Sequence, residues 1–231
     1  MPEDTITPID HLPVALTHST RAKRLALRLD TKARIIRLVV PKGVSERKAH
    51  KFALKHEDWI IDKIDELPPL IPFENGRIIP ILGQNYRILV RRDSRATEIT
   101  RQDNTLLVRT NKAADISKRV TSYLKKLAKE ELAILAHEKA ERIMKPIRDV
   151  TVRDTKSRWG SCGSDGKICF SWRLIMAPEA AMDYVVAHEV AHLIHMNHGK
   201  RFWTLCEKLS DDYDEGLYWM KAHGQELQRY G

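Results

Sequence analysis

HEVAHLIHMNH, His188 to His198, holds four of the chain's ten histidines in eleven residues. The residues before it, Tyr184-Val185-Val186-Ala187, are apolar, and Pro178 suits the first turn of a helix. From Glu179 to Ile194 neither proline nor glycine intervenes, so one helix is expected over that span. His188 and His192 are four apart and stack on one face, where two imidazoles can share one tetrahedral metal ion. Glu189 is rotated by about 100° around the helix. It can face the metal's open position without ligating. This is the H-E-x-x-H arrangement, two zinc ligands and a general base that takes a proton from zinc-activated water. The competing reading is a His-rich polar helix end that holds no metal.

A catalytic zinc usually takes three protein ligands. His195 lies on the face of His188 but about 10 Å further along the axis, too far for three rings to converge on one ion. His198 becomes available if the chain turns after the helix. Asn197 and Gly199 are residue types that tolerate the left-handed conformation of such a turn. His198 is therefore the expected third ligand, Glu207 is the alternative, and His195 is a surface or supporting residue. Tyr213, Tyr218, Arg173 and Asn197 are unranked candidates for stabilising a developing oxyanion.

The 231 residues allow one large domain or two small ones. With 42% hydrophobic and 31% charged residues the composition is that of an ordinary globular protein. No run approaches the ~20 apolar residues of a membrane-spanning helix, so no membrane partner is expected. The N-terminus has no basic and apolar signal pattern, and residues 1–20 are expected to be a flexible leader. Three cysteines argue against a disulfide framework and for a cytoplasmic location.

The net charge is +9 and unevenly placed. Arg21–Lys55 and Arg87–Lys129 each carry twelve Lys/Arg, whereas Met176 to the C-terminus carries five against nine Asp/Glu. The basic part suggests weak, non-specific contact with nucleic acid; the plainer reading is a solvated surface.

Strand patterns at Lys23–Leu29, Ile35–Val40, Ile78–Leu82, Tyr86–Val90, Thr97–Thr100 and Leu106–Arg109 predict an antiparallel sheet. One helix is expected from Glu46, ending before Pro68-Pro69, with Ser45 as its N-cap. Asp30-Thr31-Lys32-Ala33 can turn between the first two strands. Asp115–Met144 gives the longest helical pattern, ending before Pro146. The divisions expected are 1–20, a basic β-rich region 21–112, and a metal-binding region 113–231. TKSRWGSCGSDGKICFSWRL predicts a hairpin. With Asp165-Gly166 as a two-residue turn, Cys162 opposes Cys169 and Trp159 opposes Trp172.

KSRWGSC, SWRL and YVVAHEVAHLIHMNHGKRFW, after the basic strand–strand–helix unit, resemble the YgjP-like metallopeptidases, relatives of the SprT-like and WLM zinc proteases. The resemblance covers most of the chain and is densest from Lys156 to Trp203. It implies zinc held by His188, His192 and His198, with Glu189 catalytic. The His spacing also resembles that of the metzincins, but His195 stands where they have glycine. SprT-like relatives act on proteins attached to DNA. In zinc peptidases of this general fold an edge strand beside the metal helix often pairs with extended substrate, and the Trp159–Trp172 hairpin is the candidate here.

The expectation is an α+β protein. An N-terminal antiparallel sheet with helices precedes a zincin-like catalytic unit that binds one Zn2+ and hydrolyses peptide bonds in a protein or peptide substrate. The alternatives are a nucleic-acid-associated module with structural zinc and a hydrolase of non-peptide amides.

Overall fold

Alternating apolar residues on Ile35–Pro41 build the first core of the computed structural model, which describes residues 9, 11–31, 33–111, 115–155 and 158–231. Ile36, Leu38 and Val40 of this strand are fully buried, as its period of two requires. The strand is β3. It pairs in parallel with β1 (Val14–Ser19) and antiparallel with β2 (Ala26–Asp30), giving the order β1-β3-β2. Helices α1 (Glu46–Lys55) and α2 (Glu57–Asp65) contribute Ala49, Ala53 and Ile60 to the same core. Ser45 caps α1 as expected, accepting from the Lys48 amide. The single helix expected here is interrupted at His56, which has non-helical backbone angles.

Contacts divide the chain into two compact units, one reaching Pro69 and the other Leu70–Gly231. The expected boundary at 112/113 and the leader's first eight residues fall outside the described residues, as does Lys32 of the predicted turn. Within the leader, Val14-Ala15-Leu16 opens strand β1 and is buried. A run buried on both faces shows no alternation, so its pattern did not mark it as a strand.

The second unit begins with β4 (Ile78–Ile81), β5 (Gln84–Arg91), β6 (Glu98–Gln102) and β7 (Thr105–Arg109), in the order β4-β5-β7-β6. Its central pair, β5 and β7, is parallel. The single antiparallel sheet expected is therefore corrected: its strands divide between two small sheets, each with one parallel pair. Local periodicity marks strands but carries no information on which partners they choose. The α+β class stands, with six α-helices among the described residues.

Helix α3 (Ile116–Arg142) buries Val120, Leu124, Ala128, Leu132, Ala136 and Ala140, one residue per turn. Its small residues let the 3-10 turn Trp172–Met176 and helix α4 (Glu179–Ala191) pack closely. The third sheet has the order β8-β10-β9, from β8 (Asp149–Arg153), β9 (Gly160–Cys162) and β10 (Lys167–Ser171). Helices α5 (Lys200–Leu209) and α6 (Tyr213–His223) complete the unit. No helix among the described residues is long and apolar enough to cross a membrane.

The β9–β10 hairpin forms, but its register is one residue from that expected. Cys162 opposes Ile168, and Cys169 opposes Ser161. The loop carries an extra residue: the Gly166 amide donates to Gly163 O, and Gly166 has φ 76°. A turn closed by a left-handed glycine replaces the two-residue turn. Because side chains alternate across the sheet, Cys162 and Cys169 point to opposite faces. Trp159 O accepts from the Ser171 amide, not from Trp172.

Candidate metal centre

Helix α4 is buried on almost every side, with Ala181, Met182, Tyr184 to Ala187 and Glu189 to Ala191 all buried. Two glycines of other elements make this possible. On α6, a Cβ at Gly216 would strike Ala180 O and fall 2.6 Å from Tyr184 Cβ. On β9, a Cβ at Gly160 would fall 2.5 Å from Oε1 and 2.7 Å from Cδ of Glu189. The helix is thus flanked by two positions where a side chain would collide with it, with backbone at Gly216 and with the Glu189 side chain at Gly160.

The helix ends at Ala191, earlier than the expected Ile194, with His192 as its C-cap. Leu193 and Ile194 donate to Val190 O and Ala191 O in tight turns, and the chain then unwinds toward His198. No left-handed residue is needed for this. Asn197 is absent from the positive-φ residues and Gly199, the N-cap of α5, has φ −76°. That expectation is corrected: the helix terminates by tightening, which redirects the chain without an αL residue.

The turn brings three imidazoles together. His188, His192 and His198 each offer a ring nitrogen, and these nitrogens lie within 4.8 Å of one another. The Nε2 atoms of His188 and His198 are 3.1 Å apart. Two nitrogens bound tetrahedrally to one zinc at its usual bond length stand about 3.3 Å apart, so this pair already has the spacing a shared ion requires. His192 Nδ1 lies 2.9 Å from His195 O. With the carbonyl able only to accept, Nδ1 carries the hydrogen and Nε2 is free to ligate. His195 therefore contributes its backbone to this group, and Glu207 is outside it.

Burial, and then the neighbouring rings of His192 and His198, push the His188 imidazole down to about 4; burial also lowers His192. Both are neutral at pH 7, the form that binds metal. Burial pushes the Glu189 carboxyl up to about 7, against the opposing charge of Arg158. The described part of KSRWGSC thus supplies both the glycine that touches Glu189 and a cation near it. Lys156 and Ser157 lie outside the described residues.

Local residue patterns did not reveal the aromatic support. The Phe202 ring is fully buried, and its centroid stands 4.9, 4.5 and 4.7 Å from those of His188, His192 and His198. Trp203 is 5.6 Å from both His188 and His198 and is partly exposed. The KRFW stretch that follows His198 held the signal: its aromatic pair begins α5 and folds back over the histidines. Glycines 160 and 216 were likewise missed, because close approach leaves no local pattern.

The oxyanion candidates separate. Arg173 is buried and held by Asp154 and Tyr230 O, so it is spent on structure. Tyr213 packs on Tyr184, which in turn packs on His188. Tyr218 is largely exposed, and Asn197 lies on the turn before His198.

Residues 23–223 match the family model described as YgjP-like, metallopeptidase domain. Neither the curated proteins nor the solved structures yield a match to this chain.

Proposed function

The chain belongs to the YgjP-like metallopeptidase family, and from that premise we propose that it is a zinc-dependent peptidase with a zincin-like catalytic unit, in which His188, His192 and His198 hold the ion and Glu189 is the general base. The observation that carries this reading is the convergence of three imidazole nitrogens within 4.8 Å, beside a buried carboxyl on the same helical turn. Three is the number of protein ligands that catalytic zinc sites use, whereas structural sites use four.

Zinc bound there supplies a Lewis acid that lowers the pKa of its water and polarises the scissile carbonyl. Glu189 takes the proton from the attacking water on a carboxylate oxygen and delivers it to the leaving amine. Gly160 leaves that carboxyl its space. Phe202 shields the imidazoles from one side, and His195 O fixes the His192 ring. The substrate is a protein or peptide. Incubating the zinc-loaded chain and its Glu189→Gln variant with an unfolded protein, and sequencing the new termini, tests the reading. Cleavage by the first and not the second supports it; no cleavage by either opposes it.

Weak nucleic-acid contact through Arg21–Lys55 and Arg87–Lys129 accompanies this proposal. Its affinity is expected to fall steeply with salt as phosphate contacts release counterions. A low-salt mobility shift with no retarded DNA or RNA would remove it.

A further inference from the structure

Met176 to Gly231 is an acidic part of the chain, with five Lys/Arg against nine Asp/Glu, yet three of those five cations share one groove. The groove is lined by His195, Lys200, Arg201, Thr204, Leu205 and Lys208. Five of these fall on one face of α5, since residues four apart stack on a helix. The opposite face, with Phe202, Cys206 and Leu209, is buried. Among the described residues no carboxylate pairs with Lys200, Arg201 or Lys208.

We infer that this groove binds acidic side chains of the peptide substrate and gives the site a preference for Glu- and Asp-containing sequences. The inference rests on the peptidase reading and supplies its specificity. Three observations support it. The cations are concentrated where the surrounding chain is acidic, so a solubilising surface charge does not account for their placement. Half-buried Leu205 gives the groove an apolar surface suited to the carbon atoms of a side chain, beside the exposed Lys200, Arg201 and Lys208. The groove and the histidine cluster also share a residue: His195 lines the groove, and its carbonyl accepts the bond that orients His192. A peptide bound at the three histidines would have this groove beside it, on the far side of His195. Lys200 and Lys208 are eight residues apart, about 12 Å along the helix. That span suits a few peptide residues better than the longer basic track by which proteins follow a nucleic-acid backbone.

The test measures binding, so it is independent of turnover. Anisotropy is followed for the full-length Glu189→Gln chain with three fluorescein-labelled probes: a decapeptide with three Glu, the same peptide with three Gln, and an oligonucleotide of ten thymidines. The Glu peptide is expected to bind about tenfold more tightly than the Gln peptide at low salt, the sum expected from three modest exposed charge pairs. The combined Lys200→Gln, Arg201→Gln and Lys208→Gln variant should lose this preference. A control with Lys125, Lys126 and Lys129 of α3 changed to Gln should keep it, and circular dichroism of both should match the parent. Equal binding of the two peptides, or a preference that survives the groove variant, overturns the inference. So does tighter binding of the oligonucleotide through the same three residues. Hydrolysis by the unsubstituted chain with no acidic preference would overturn the groove alone. Acidic preference without hydrolysis would overturn the peptidase reading alone.

Discussion

Gly160 and Glu189 are in such close contact that a single methyl group on the glycine would occupy space held by the glutamate's carboxyl, 2.5 Å from Oε1. The atoms in the way, Cγ, Cδ and Oε1, all belong to one side chain, which can turn aside. At Gly216 the obstacle is different, the backbone carbonyl of Ala180, and it cannot. Gly160→Ala is expected to leave the melting temperature nearly unchanged while lowering kcat about a hundredfold, the cost of misplacing a reacting group by roughly 1 Å. Gly216→Ala should instead destabilise the fold by about 1–3 kcal/mol through overpacking. Thermal melts beside kinetics separate the two; an equal stability loss in both variants would sink the distinction.

Metal content tests the ligand set. His198→Ala is expected to lower bound zinc sharply, and Glu207→Ala to leave it at one ion per chain. Plasma emission spectrometry on dialysed protein reads this directly. Retention in the first variant with loss in the second would reverse the assignment.

Glu189→Gln keeps the size of the side chain and removes the proposed base. Zinc content and stability should stay near those of the parent, while peptide hydrolysis falls about 100- to 10,000-fold. Equal cleavage by the variant, once contaminating proteases are excluded, would refute Glu189 as the base.

The corrected hairpin register bears on the cysteines. Cys162 and Cys169 point to opposite faces, so mild oxidation should leave both free, and thiol titration after unfolding should count three. Burial, then the nearby Glu189 and Asp165 charges, push the Cys162 thiol up to about 11. A raised thiol pKa means that the reactive thiolate is scarce at neutral pH. Alkylation of Cys162 by iodoacetamide should therefore still be rising with pH at pH 9. A plateau below that would contradict the burial described.

Lys139 of α3 is buried and pairs with Asp183 of α4. Lys139→Met leaves that carboxylate without its cation and is expected to cost about 3 kcal/mol, the lower end for breaking a buried pair. For a chain of this size that lowers the melting temperature by roughly 6–12 °C. Adding Asp183→Leu should recover part of the loss. No recovery would mean that the pair's charge is not what the first variant lost.

How far the sequence foretold this molecule depends on what each feature rests on. His188 and His192 were legible because a helix converts a spacing of four into proximity. The meeting of His198 with them was also foreseen, although by a turn the chain does not use. Long helix α3 and the β5 and β7 strands followed from periodicity. The parallel pairings did not, because partner choice is non-local. The cysteine register failed on one extra loop residue, which flips every side chain of a short strand. Gly160, Gly216 and Phe202 act through tertiary contact, and nothing near them in sequence announces it.

The C-terminal end of α5 has a consequence for the order of assembly. Its last carbonyls are held from outside the helix: Lys139 Nζ and Arg142 Nη1 both donate to Leu209 O, and Arg142 Nη2 donates to Lys208 O, across 66 to 70 residues of chain. The helix that places Phe202 under the histidines is thus completed by a partner that arrives through a long loop closure, a slow event relative to local helix formation. During refolding, helical circular dichroism should recover before the fluorescence of Trp203 reaches its native value, with the other tryptophans replaced by phenylalanine. Simultaneous recovery would place the closure before the helix. The histidine cluster is then expected to be among the last parts of the chain to mature, after the secondary structure around it.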